Sequence, residues 1–123
     1  MQNYKKYKGA IVEESLEDKK VLSDFDIVET TVTDDENPDD RWHIHKVLAD
    51  AEQIEKLSKF IKPTKWYANF WTDPVRIEDG NIIVAYRDKV FSFHKDDEVG
   101  RGEAIQYGLS VDIPLEQLDF FTE

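Results

Sequence analysis

Six short runs of apolar, β-branched or aromatic residues divide this chain, and one well-signalled helix interrupts them. That pattern commits the chain to a sheet. The runs are "KGAIVEESL", "DIVETTVT", "RWHIHKVL", "KWYANFW" and the two arms of "EDGNIIVAYRDKVFSF". In a strand, successive side chains alternate faces. The first run therefore sets Ala10 and Val12 against Ile11, and the second aligns Val28, Thr30 and Val32. The near-continuous apolar stretch Ile82 to Tyr86 suits a central strand, and Phe91 and Phe93 share a face across an Arg87–Lys89 turn.

The helix begins at Asp50, a good N-cap, and Gln53 three residues later completes a capping box. Ile54, Leu57 and Ile61 follow at helical spacing, and Pro63 stops it. Weaker signals predict a short helical turn over 15–22 and a second helix through "EAIQY", with Gly108 at a left-handed C-cap. Pro114 stands at a further helix start, ahead of Leu115, Leu118 and Phe120. The order predicts an α+β fold: an antiparallel sheet with helices on one face. Its core reads as ferredoxin-like (split βαβ), with an appended β-hairpin and C-terminal helix. At 123 residues, a single domain spanning 1–123 is expected.

Charge narrows the function classes. The net charge is −11, and residues 13–40 hold twelve carboxylates against Lys19 and Lys20. Such a surface repels phosphates, so no nucleic-acid partner is expected. It favours solubility, or encounter with a basic protein. The absence of cysteine excludes disulfides, thiolate catalysis and cysteine-ligated metals. No apolar run approaches the ~20 residues that span a bilayer, and the start carries no apolar stretch of signal-peptide length. A soluble, cytoplasmic protein without membrane contact is the expectation, with self-association left open.

Few residues point to chemistry. In "DRWHIHKV" the spacing puts His43 and His45 on one strand face, as a metal site would require. The third ligand of a divalent transition metal would have to be His94, the chain's remaining histidine. Against this, Trp42, Ile44 and Leu48 have the better claim on the core, which turns the imidazoles outward beside Arg41. An exposed strand face without cofactor is the better reading, and a metal-dependent enzyme the alternative.

Other candidates are weaker. "DDENPDD" places Asp35, Asn37 and Asp39 at alternate positions, but Asp40 stands where a calcium loop needs glycine, and Lys46 where it needs glutamate. Gly100 and Gly102 form only a fragment of a phosphate loop, beside acidic residues. The pairs Glu13–Glu14 and Glu17–Asp18 lie in a charge-dense stretch where desolvation is not expected. No serine has a nucleophile's setting.

The aromatic run "KWYANFW" is more informative. Trp66, Ala68 and Phe70 share one face, and Tyr67, Asn69 and Trp71 the other. One face packs on helices. The second offers Tyr and Trp, the residue types that dominate recognition energetics, unless the hairpin or terminal helix covers it.

Together, "YKGAIVEESLEDKKVL", "RWHIHKV", "KWYANFW" and "YGLSVDIPLEQLDF" resemble a family of small bacterial and archaeal proteins that has no established activity. The resemblance spans nearly the whole chain and is carried by Trp42, His45, the aromatic strand and the Ile-Pro-x-x-Gln-x-Asp-Phe ending. It implies a single-domain cytoplasmic protein and brings no catalytic residue. The expected function is therefore a non-catalytic binding or regulatory domain. It would recognise a protein or small apolar ligand through Tyr67, Asn69 and Trp71.

Overall fold

A computed structural model describes residues 7–72, 80–118 and 120. Lys5 and Lys6 of the basic start, and Asp119 of the ending, lie outside the described residues. The chain builds an α+β structure on one six-stranded sheet. Its strands are β1 (Tyr7–Val12), β2 (Asp26–Val32), β3 (His43–Ala49), β4 (Ala68–Thr72), β5 (Asn81–Tyr86) and β6 (Lys89–His94). They lie in the order β2-β3-β1-β4-β5-β6, and every neighbouring pair is antiparallel. Two helices accompany them, α1 (Ala51–Ser58) and α2 (Glu98–Ser110). Among the described residues, no helix is long and apolar enough to cross a membrane.

The capping box forms as expected: Gln53 N donates to Asp50 Oδ1 at 2.8 Å, and Asp50 N donates to Gln53 Oε1 at 2.9 Å. The turn expected over 15–22 is instead two 3-10 segments, Glu13–Ser15 and Lys19–Asp24. They still bury Leu16, Val21 and Leu22, so the apolar spacing was informative although its period was not α-helical. The second helix runs well past "EAIQY". Gly108 lies inside it, and the left-handed position falls at Asp112 (φ 69°). Close packing explains the glycine: a Cβ at 108 would stand 2.6 Å from Leu118 Cδ2 and 2.8 Å from the Tyr86 hydroxyl. Pro114 opens only a 3-10 turn, Leu115–Gln117.

Two cores form, one on each face of the sheet. The first joins Ile11, Val47, Ala49, Ala68, Phe70, Ile83 and Ala85 to Ile54 and Leu57 of α1, with the 3-10 segments above it. The second joins Ile82, Val84, Tyr86 and Phe93 to Ala104 of α2 and to Ile113, Leu118 and Phe120. The helices therefore lie on both faces, which corrects the expectation of one. The reason is β5, whose uninterrupted apolar run requires burial above and below. Tyr86 is fully buried and donates from its hydroxyl to the Ala104 carbonyl at 2.7 Å. Burial, reinforced by Tyr67 and Tyr107, pushes its ionisation well above the ordinary tyrosine value.

The orientation of β3 is the main correction. His45, Val47 and Ala49 are buried on the face of the first core, whereas Trp42 is 38% exposed on the opposite side. That face is closed by the first core and, at His45, by Glu13 and Thr30, which engage the ring. The bulky Trp42, Ile44 and Leu48 take the face that no helix covers.

Candidate functional site

Two constellations flank β3, one on each face. The first is a pocket of about 430 Å³, within the range typical of small-ligand sites. Its floor is the sheet surface of Ala10 and Val12 from β1, Lys46 from β3, and Asn69 and Trp71 from β4. These side chains meet because the register pairs Ala10 with both Lys46 and Asn69. Trp42, Lys65, Trp66 and Tyr67 form one wall, and Glu116 and Gln117 of the C-terminal segment another. Trp42 and Trp66 meet edge to face, with centroids 5.1 Å apart at 64°. All three tryptophans of the chain line this pocket.

The C-terminal segment covers only part of the aromatic face. Tyr67 packs against Phe120 and Tyr86 at 5.6 and 5.9 Å between centroids, and its hydroxyl donates to the Gln117 carbonyl. Lys65, at φ 75°, turns its amide to the Val111 carbonyl at 2.7 Å, which ties the segment to the rim. Trp71 is only 3% exposed, and its indole N–H has no hydrogen-bond partner among the described residues. The residues expected to bind, Tyr67, Asn69 and Trp71, thus line one pocket. Trp42, Trp66 and Lys46 join them, and only knowledge of the strand order could have found those.

The second constellation lies on the opposite face of β3. Val12 pairs with Ile44, so the chain leaving β1 passes directly over the histidine end of β3. Glu13 and Glu14 there meet the two imidazoles. The His43 amide donates to Glu14 Oε1 at 2.8 Å, and its ring Nδ1 lies 2.7 Å from Glu14 Oε2. His45 Nε2 lies 3.0 Å from Glu13 Oε1, and its Nδ1 lies 2.9 Å from the hydroxyl of Thr30, its cross-strand partner in β2. Burial tends to raise the Glu14 pKa, but the bonds from the His43 amide and ring outweigh it and hold the carboxyl below its ordinary value. One oxygen each from Glu13 and Glu14 and one ring nitrogen of His43 lie within 4.8 Å of one another.

His94 does not join this cluster. It sits on β6, with β1, β4 and β5 between that strand and β3, roughly 19 Å away at about 4.8 Å per strand. Its Nδ1 instead accepts from the Asp96 amide at 3.2 Å. Arg41, expected beside the imidazoles, donates from Nε to the Asp35 carbonyl at 2.7 Å. The acidic loop satisfies its own backbone, with Asp35 and Asn37 side chains accepting from the amides of Asn37 and Asp39.

No family model, curated protein or solved structure matches this chain.

Proposed function

We propose that this protein is a non-catalytic binding domain that takes a small, largely apolar ligand into the pocket beside β4. The observation that carries this reading is the convergence of Trp42, Trp66, Tyr67 and Trp71 on one cavity of about 430 Å³. Aromatic walls supply contact area at little entropic cost. The pocket lining supports a binding role over catalysis. Its described residues include no imidazole, and the one hydroxyl, that of Tyr67, is engaged by Gln117. In this reading, the carboxylate-rich stretch 13–40 steers encounter with a basic partner that delivers or receives the ligand. The protein, in this reading, acts in the cytoplasm.

The scaffold is read as a split βαβ core of β1 to β4 extended by the β5–β6 hairpin. The order β4-β1-β3-β2 with antiparallel neighbours supports this, although the first crossover is made of 3-10 turns.

Because every tryptophan lines the pocket, three indole signals in a 1H–15N correlation spectrum report on it directly. A fragment screen of neutral aromatic and aliphatic compounds should give binders that move all three. Asn69→Ala and Trp42→Ala should weaken those binders while the fold persists. Binders that leave the indole signals unmoved, or a screen without any, would defeat the reading.

A further inference from the structure

From the second constellation we infer a binding site for a divalent transition metal, with Glu13, Glu14 and His43 as its protein ligands. The donor set is chemically apt: two carboxylates and one imidazole suit borderline ions such as zinc or manganese. The spacing is apt as well. Ligands about 2.1 Å from an ion stand roughly 3.0–3.4 Å from one another in octahedral or tetrahedral shells. The present separations run from 2.7 Å, between His43 Nδ1 and Glu14 Oε2, up to the 4.8 Å that bounds the group. Small rotations of two glutamate side chains therefore close the shell without backbone movement.

The backbone is already fixed. Glu13 and Glu14 follow the last paired residue of β1, and His43 begins β3 beside them. The His43 amide bond to Glu14 Oε1 holds that carboxylate in place while Oε2 faces the ring. The Glu13 carboxylate is held in turn by His45, whose far nitrogen meets the Thr30 hydroxyl. If that hydroxyl donates to Nδ1, Nε2 carries the proton and donates to Glu13, leaving the carboxylate's other oxygen for the ion. Such outer partners orient metal ligands in known sites. Access is open, since the His43 side chain is 45% exposed and that of Glu14 33%. Three protein ligands leave the remaining positions to water or to an anionic group of a partner. An ion bound at Nδ1 takes the place of the hydrogen bond between His43 and Glu14, with the ring proton carried on Nε2.

Isothermal titration calorimetry of the intact protein with zinc chloride tests this. One equivalent should bind, with heats that saturate at that ratio. His43→Ala and Glu14→Gln should each weaken binding by about tenfold or more, while His94→Ala leaves it unchanged. Circular dichroism checks that each variant is folded. Should either unfold, cobalt(II) added to the wild-type protein should shift and broaden the proton resonances of the His43 ring while leaving those of His94 in place. Binding that His43→Ala and Glu14→Gln leave untouched, or heats that never saturate near one equivalent, would overturn the site. Neither result bears on the aromatic pocket, which lies on the other face of the sheet.

Discussion

The two faces of β3 carry opposite kinds of surface within seven residues. Toward α1 the strand presents His45, Val47 and Ala49, buried, with His43 and the glutamates at its open end. Toward the pocket it presents Ile44, Lys46 and Leu48, all half-buried, with Trp42 just ahead of the strand. Hydrophobicity alone ranks the second face as the more apolar, yet the first is the one covered. The difference teaches that burial follows what the rest of the chain lays over a face, and not the apolarity of one strand alone. The first core and the chain leaving β1 close over His45, Val47 and Ala49, and the large side chains are left on the open side.

This contrast is easiest to break with a charge. Val47→Asp places a carboxylate in the first core, at a fully buried position, and should cost about 4 kcal/mol or more, enough to unfold a marginal domain. Leu48→Asp, one residue on, reaches the uncovered face opposite Lys8 and should cost about 1 kcal/mol. Urea denaturation of the two variants decides it: equal losses would mean that the faces are not distinguished as described.

A smaller effect comes from the neighbouring strand. Gly9 pairs with both Val47 and Phe70, and a Cβ there would stand 2.2 Å from Phe70 Cδ2 and 2.8 Å from the Asn69 carbonyl. Gly9→Ala should therefore destabilise by about 1–3 kcal/mol through overpacking. Because Asn69 belongs to the pocket, the Trp71 indole signal should move as well. A denaturation midpoint equal to the wild type would show that Phe70 can yield.

The carboxylate side is weaker still, and it depends on pH. Glu14 has its pKa lowered in the folded protein, so it binds its proton more weakly there than in the unfolded chain. Its contribution is present above the ordinary value of 4.5 and is lost as pH falls through the depressed folded value. Glu14→Gln should cost no more than about 1 kcal/mol at pH 7, given its partial exposure. The gap between variant and wild type should shrink toward pH 3. A gap that is constant across that range would assign the effect to lost packing.

How far the sequence disclosed all this depends on the range of each interaction. The capping box at Asp50 and Gln53 and the alternation in "KWYANFW" are set by neighbours within a few residues, and both were readable. The facing of β3 was not, because it depends on which distant segments join Val47 and Ala49 in the first core. Nor was the meeting of Glu13 and Glu14 with His43 and His45. The H-x-H spacing was visible, but its partners lie some thirty residues away, and only the β1–β3 register brings them together. Trp42 was misassigned for the same reason: its side of the sheet follows from the facing of β3.

The smallest expected effect sharpens the pocket side of the comparison. Lys65 adopts φ 75°, a left-handed conformation that costs a side-chain-bearing residue about 1 kcal/mol or more. The strain sits where the wall of the pocket is fastened to the C-terminal segment through the Lys65 amide and the Val111 carbonyl. Glycine adopts this backbone freely and keeps the amide, but it also enlarges the unfolded ensemble, which offsets part of the gain. Lys65→Gly should therefore raise stability by a few tenths of a kcal/mol, read as a rise in Tm. The same change removes an ammonium from the rim and should leave the binding of neutral fragments intact. A fall in Tm would mean that the lysine stem packs against Trp66 and holds that wall in place, so the open face would owe its shape to side-chain cover as well as to the fastened backbone.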